Sequence, residues 1–391
     1  MKWFSKLLLM GVTLALWVWA MWLGNSAHPV PGPSAWQAAP SPPARSDEPP
    51  LFERAFVDPQ GAVAQVHAAT ICELPSGRLC VVWYGGTHEL ADDVAIYFAT
   101  KMGTGEEPWT PPRAIVTRES AMTELGRYVS KVGNSVIFAD AHGRLWLVYV
   151  SIALGRWSGS SLNVKISADE GRTWTPSRRL TLSPFLNLSE LVRCKPFSVT
   201  EEAIAIPVYQ EFLGRFPEVL WISGVGDPAR LSWSKQRIWS GNSFIQPSVA
   251  WSEGTLLRTF LRDCTKIHTV AASDSPDGAL SWQKPRRISL PNPGSGLDAL
   301  RLEDGQLLLV FNDSSAGREN LRVASTRDGG QTWRRLVTLD EESGEEFSYP
   351  CMIHDRAGRI HVVYTWKRKH IQHAVFNLAW LARQAASGSR Q

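Results

Sequence analysis

The chain has 391 residues, enough for one large domain or two ordinary ones, and its 44% hydrophobic and 20% charged residues are those of a globular protein. With 41 basic against 37 acidic side chains the net charge is only +4, and no basic run stands out, which argues against a nucleic-acid partner. The unusual figure is 18 Trp, which the rest of the sequence has to explain.

Lys2 and Lys6 precede an apolar run of 17 residues from Leu7 to Leu23. A positive flank followed by an apolar run marks an export signal or a signal anchor. The run is long for a cleaved signal core and short for a membrane span. Trp17, Trp19 and Trp22 gather toward its far end, where aromatic side chains favour a membrane interface. Residues 1–27 are therefore expected to hold the protein in the inner membrane facing the periplasm, the alternative being a removed signal and a periplasmic protein. Residues 28–50 contain eight prolines and form a spacer that cannot build a core.

The folded part is expected over 51–383, with 384–391 as a tail. Its pattern is short apolar runs broken by Gly, Asp, Pro and Ser. VHAATICEL (66–74), RLCVVWYG (78–85) and DVAIYFAT (93–100) form one set; GNSVIFAD (133–140), RLWLVYVS (144–151) and LNVKISAD (162–169) form the next. These read as strands of β-meanders with no convincing amphipathic helix between them.

Three copies of one octet recur: SADEGRTW (167–174), SPDGALSW (275–282) and TRDGGQTW (326–333). Weaker copies, GTGEEPW and GDPARLSW, end at Trp109 and Trp233, so the five Trp are 65, 59, 49 and 51 residues apart. That period is one four-stranded propeller blade. Asp169, Asp277 and Asp328 should tie their own turns, and Trp174, Trp282 and Trp333 should plug the space between neighbouring sheets. These are structural roles, and they absorb much of the Trp excess. A sixth unit, 347–376, has no octet after it. The expected fold is all-β: one six-bladed β-propeller behind the N-terminal segment.

The first strand of each blade lines a propeller's channel. The six candidate first strands begin at His67, Asn134, Lys195, Gln246, Asp298 and Tyr349, at spacings of 67, 61, 51, 52 and 51 residues. A polar ring on the axis is where ligands of this architecture converge. The rim, from second-strand ends and the loops after them, should carry Glu89, Asp92, Arg156, Trp157, Glu211, Arg215, Arg262, Asp263, Asn312 and Arg318. Arg at several rims suits a carboxylate or sulfate, which a guanidinium meets in bidentate fashion. The five Cys have no CxxC spacing and sit mostly in apolar runs, so they read as buried thiols, with a Cys72–Cys80 bridge open in an oxidising compartment. No metal or other cofactor is implied.

The octets and blade order over about 51–380 resemble the sialidase superfamily, in its bacterial branch with Asp-box (BNR) repeats. The resemblance implies a six-bladed glycoside hydrolase with a Tyr nucleophile assisted by a Glu, an Asp as acid/base, and three Arg on the substrate carboxylate. Tyr349 stands at the nucleophile's place, Arg262 and Arg318 at the second and third Arg, and Asp92 at the acid/base Asp, with Glu89 and Asp93 as competitors. Two positions depart. His67 stands where the first Arg belongs, and Gln246 where the activating Glu belongs. Gln cannot take the phenol proton, so sialic acid hydrolysis in the family's manner is in question; Lys195 or Glu211 is a candidate substitute. The reading is an exported glycoside hydrolase-like enzyme acting on an acidic sugar or polysaccharide. The alternatives are a non-catalytic propeller that binds anionic glycan, and a uronic-acid polysaccharide lyase using the Tyr/His pair.

Overall fold

The computed structural model describes residues 6–16, 48–61, 63–103, 107–182, 187, 189–212, 214–253 and 256–388. Strand β1 (Phe52–Phe56) is followed by two sheets, β2–β5 (Gln65–Glu73, Arg78–Gly86, Ala95–Met102, Arg113–Val116) and β6–β9 (Lys131–Ala139, Leu145–Ile152, Ser160–Ser167, Arg178–Arg179). The third sheet holds β10 (Leu191–Val192), β11 (Ser198–Val199), β12 (Ala203–Gln210), β13 (Phe216–Ser223) and β14 (Ser232–Arg237). Two more follow: β15–β18 (Phe244–Glu253, Leu256–Asp263, Thr269–Ser275, Arg286–Pro291) and β19–β22 (Asp298–Arg301, Leu307–Phe311, Asn320–Thr326, Arg334–Glu341). The sixth contains β23–β25 (Phe347–His354, Ile360–Trp366, His370–Phe376), and β1 completes it as outermost strand, with Phe52 opposite Phe376 and Phe56 opposite Gln372. The chain start thus closes the ring onto the chain end, which the repeat pattern alone does not reveal.

Inner strands touch round the ring, β2 on β6 and β23, β6 on β10, β15 on β19, and β19 on β23, with β12 meeting β15 between the third and fourth sheets, which gives the channel wall expected for a six-bladed propeller. Apolar clusters fill the spaces between consecutive sheets; one joins Val148 and Leu162 to Ile206 and Leu220. The meander reading misses two helices, α2 (Arg118–Leu125) and α3 (Leu378–Gly388), which follow the short α1 at residues 6–16. Helix α2 is held by a capping box in which Thr117 and Ser120 bond each other's backbone amides. Helix α3 extends into the expected tail as far as Gly388 and stacks Trp380 on Phe52 at 4.4 Å. Among the described residues no helix is long and apolar enough to cross a membrane. The remainder of the 7–23 run lies outside the described residues.

The octets do what their chemistry predicts. Asp169 accepts from the Thr173 amide (2.8 Å) and hydroxyl (2.6 Å), and the Gly171 amide donates to Ser167 Oγ at 2.8 Å. Asp277 and Asp328 tie Ser281 and Thr332 in the same way. The hydrogen bonds from Thr173 hold the Asp169 carboxyl down at about 2. Trp174 and Trp333 stand edge-on to Phe98 and Phe260 of the preceding blades, and Trp282 packs on the cluster around Trp221. These three Trp are partly rather than fully buried, because each closes the outer end of its space.

The channel ends of the first strands are bulged. Two residues oppose one at Ala68-Ala69, Gln246-Pro247 and Tyr349-Pro350, and Ala68, Gln246 and Tyr349 all have left-handed backbones, with φ of 52°, 51° and 52°. A bulge of this kind re-aims a side chain next to a site. It also corrects the alignment of the ring: Ala68, not His67, is the counterpart of Gln246 and Tyr349.

Candidate active site

Tyr349 is the hub of the polar groups at this end of the channel. Its phenol oxygen accepts a hydrogen bond from Arg262 Nη1 at 3.2 Å. The same nitrogen donates to Gln246 Oε1 at 3.3 Å. Arg318 lies over the Tyr349 ring, 5.1 Å from its centroid, and Arg193 lies 5.3 Å from it. The His67 ring meets the Tyr349 ring edge-on at 4.6 Å. Gly296 leaves the room this needs: a Cβ there would come within 2.9 Å of Tyr349 Cδ1.

Around the hub the polar groups are ordered by what each can donate. An arginine has no acceptor, so the Gln246 atom facing Arg262 is its oxygen, and its Nε2 must turn to Tyr209, whose hydroxyl it meets at 3.3 Å. Asn134 Nδ2 reaches the same hydroxyl at 3.2 Å. Glu346 holds Arg318 (3.0 Å), Arg368 (2.7 Å) and Ser348 (2.5 Å), and Arg368 in turn holds Glu89 at 3.1 Å. Arg193 and Arg262 form no ion pair among the described residues. Arg193 is 1% exposed, and two of its nitrogens, Nε and Nη1, have no hydrogen-bond partner.

These charges set the acidities. Burial pushes the Tyr349 phenol up, but Arg262 and Arg318 more than offset it and hold the group below its ordinary value. Burial and the nearby Glu211 charge push Tyr209 the other way. Burial, with the Arg368, Arg318 and Arg193 charges, keeps His67 well below its ordinary range, so its imidazole is neutral near pH 7. Burial raises the Glu346 carboxyl, yet its hydrogen bonds to Ser348 and Arg368 carry it down to about 2. Two groups with opposite shifts side by side are the usual mark of divided acid and base roles.

Not every expected site residue joins the cluster. Lys195 and Asp298 bond each other, Nζ to Oδ2 at 2.5 Å, and Asp298 also accepts from Ser248 Oγ (2.6 Å) and the Met352 amide (2.7 Å). That pair ties the third, fourth, fifth and sixth blades together, and neither member bonds the phenol. Residues 193–197 swell between β10 and β11, which places Arg193 rather than Lys195 against Tyr349. Glu211 follows β12, with its carboxyl pushed up by burial against the pull of Arg262. Asp92 is 72% exposed and sits 3.7 Å from Arg118 and 3.8 Å from Lys131. Asp93 instead closes its own loop onto Thr87. Asn312 is spent on the backbone carbonyls of Asn320 and Phe347. Among the described residues no cluster of His, Cys, Asp and Glu suits a metal ion. The five Cys are free; Cys72 and Cys80 face each other across β2 and β3 with sulfurs 3.2 Å apart.

Residues 77–362 match the model of the BNR repeat-like domain family. The chain belongs to this family. Its fold is also that of solved sialidases. A Hadza microbial sialidase, Hz136, superposes with a TM-score of 0.67 at 17% identity, covering 83% of this chain and 68% of that one. The intramolecular trans-sialidase of Ruminococcus gnavus, solved with oseltamivir carboxylate, gives 0.63 at 12% identity, covering 84% and 97%. The NanB sialidase of Streptococcus pneumoniae gives 0.63 at 11%, covering 87% and 71%. No curated protein matches the sequence. Within this BNR-repeat propeller, Tyr209, Arg193, Arg368 and Ser348 are site residues that the sequence reading does not name. Arg193 is detectable as a charge inside the otherwise apolar LVRC; Tyr209 carries no local signal.

Proposed function

We propose that this BNR-repeat propeller is an exported, glycoside hydrolase-like enzyme that acts on an acidic sugar or exopolysaccharide bound in the channel mouth. The observation that carries the reading is the set of three arginines on Tyr349, two of them without an ion pair. Leaving a buried cation unpaired costs several kcal/mol, so a site built this way is completed by an anion. Arg262 and Arg318, both partly exposed, would grip the sugar's carboxylate. Tyr349 would be the nucleophile, its phenolate favoured by the arginines in place of a proton-accepting Glu, and its proton would leave to solvent. Asp92, or Glu89 on the same loop, would protonate the leaving group. Residues 7–23 would carry the propeller out of the cytoplasm, and recovery from soluble cytoplasm on fractionation would refute that part.

His67 favours a second reading. Its imidazole is neutral, lies against Tyr349, and has an Nδ1 with no hydrogen-bond partner. Such a base could take the proton next to a uronic carboxylate while Tyr349 protonates the leaving oxygen, which is elimination. A screen of sialosides, uronic acid polymers and bacterial exopolysaccharides separates the two, because only elimination creates a new ultraviolet chromophore. Tyr349→Phe should abolish turnover and leave binding of the anionic sugar nearly intact. Binding without turnover in the wild type would identify a non-catalytic glycan-binding propeller.

A further inference from the structure

Arg193 is a buried charge that no carboxylate explains. It stands in the swollen segment between β10 and β11, is 1% exposed, and uses one nitrogen, Nη2, to donate to the Pro350 carbonyl at 2.7 Å. Pro350 is the second residue of the bulge whose first residue is Tyr349. Tyr349 itself has φ of 52°, a left-handed conformation that is strained for a bulky side chain and persists only where the surroundings hold it. One side chain from the third blade therefore touches both halves of Tyr349: its strained backbone, through the next carbonyl, and its ring, at 5.3 Å from the centroid.

We propose that Arg193 is the positioning residue of Tyr349, clamping the left-handed bulge that aims the phenol into the channel and supplying beneath the ring a charge that favours its ionised form. This rests on the reading of Tyr349 as the reactive group and gives the buried arginine a counter-charge whenever the Tyr349 phenol ionises. The other groups that bear on Tyr349 are Arg262 of β16, Arg318 between β20 and β21, Glu89 after β3, the phenol of Tyr209 on β12, and the rings of His67 and Tyr84. Of these, Arg262 and Arg318 work in the same direction as Arg193 and Glu89 works against it. Among the described residues none of them hydrogen-bonds the bulge backbone.

The test is a near-ultraviolet phenolate titration of the full chain, with the Tyr349 transition identified by its loss in Tyr349→Phe. Arg193→Met should move that transition upward, by about tenfold in the ionisation constant, because the buried cation favours the phenolate over the phenol. Arg193→Lys, which keeps the charge, should restore most of the shift. A folded Arg193→Met protein whose Tyr349 titrates as in the wild type overturns the proposal. Should the Met variant not fold, a folded Arg193→Lys protein in which Tyr349 titrates at or above the ordinary tyrosine range overturns it equally. No substrate enters this experiment, so it fails independently of the functional reading. A normally set Tyr349 in a protein that turns over no acidic sugar would sink only the latter.

Discussion

Replacing Arg262 by Met removes the one cation that hydrogen-bonds the Tyr349 phenol. The two groups are 3.2 Å apart. At that distance Coulomb's law gives about 1 kcal/mol in bulk water and about 5 kcal/mol at the effective dielectric of a protein surface site. The phenolate should lose a stabilisation between these limits, and because Tyr349 is partly exposed the lower half of the range applies. At about 1.4 kcal/mol per tenfold, the ionisation constant falls at least severalfold. The titration is readable because the sequence has 7 Tyr and burial pushes Tyr84, Tyr97, Tyr149, Tyr209 and Tyr364 up, while Tyr349 is held down. The first phenolate to form on raising the pH should belong to Tyr349, vanish in Tyr349→Phe, and move up in Arg262→Met. The folded-state value is depressed, so the stability that the phenolate contributes is present above the ordinary tyrosine range near 10 and is lost as pH falls through the folded value. Below that folded value the substitution reports on arginine burial and packing alone. An early phenolate that survives in Tyr349→Phe, or a Tyr349 transition that ignores Arg262→Met, would refute the electrostatic account of the site.

Three further outcomes follow from the placements described above. His67 is neutral and buried, with its folded value below the ordinary 6.5, so the unfolded chain takes up the proton first and stability is lost as pH falls below about 6.5; denaturant melts should show the wild type losing about 1.4 kcal/mol per pH unit more than His67→Gln over that range, and equal slopes would contradict it. Lys195→Met strands the buried Asp298 carboxylate and should cost about 3–5 kcal/mol in a melt, whereas a stable variant that has lost ligand would return Lys195 to the site. Trp333→Ala should destabilise by roughly 2–4 kcal/mol, a little under the full aromatic range because the ring is only partly buried against Phe260, and should leave ligand binding unchanged in the folded fraction.

The fold was legible because its signals are local. An octet such as SADEGRTW carries the hydrogen-bonding groups of its own turn and the Trp that closes the next gap, so three copies at blade spacing announce the propeller. The closure of the ring was not legible, since FERAF at 52–56 pairs with residues more than 300 positions away and leaves mostly exposed side chains to mark it. The site fell between these cases. Tyr349, Gln246, Arg262 and Arg318 stand on strands and loops of ordinary length, and counting from the octets reaches them. Asp92 and Lys195 were reached by the same counting, yet one lies at the exposed rim and the other in a structural ion pair.

Lys195 shows why counting fails. Gln246-Pro247 and Tyr349-Pro350 are X-Pro pairs at the heads of first strands, and Pro disfavours the right-handed helical region for the residue before it. Both X residues adopt the left-handed backbone of a bulge that turns their side chains onto the channel. Lys195-Pro196 has the same local form but not that backbone, because it sits within five residues, 193–197, that oppose only two on the partner strand. Alternation along a strand identifies the buried face only while the register holds, and each inserted residue reverses the assignment of everything before it. In the third blade the insertion moves the axial position from Lys195 to Arg193. The fault is one of register rather than of chemistry: a cation was expected at that place on the channel wall, and a cation is there, on a side chain two residues earlier whose charge faces Tyr349 instead of Asp298.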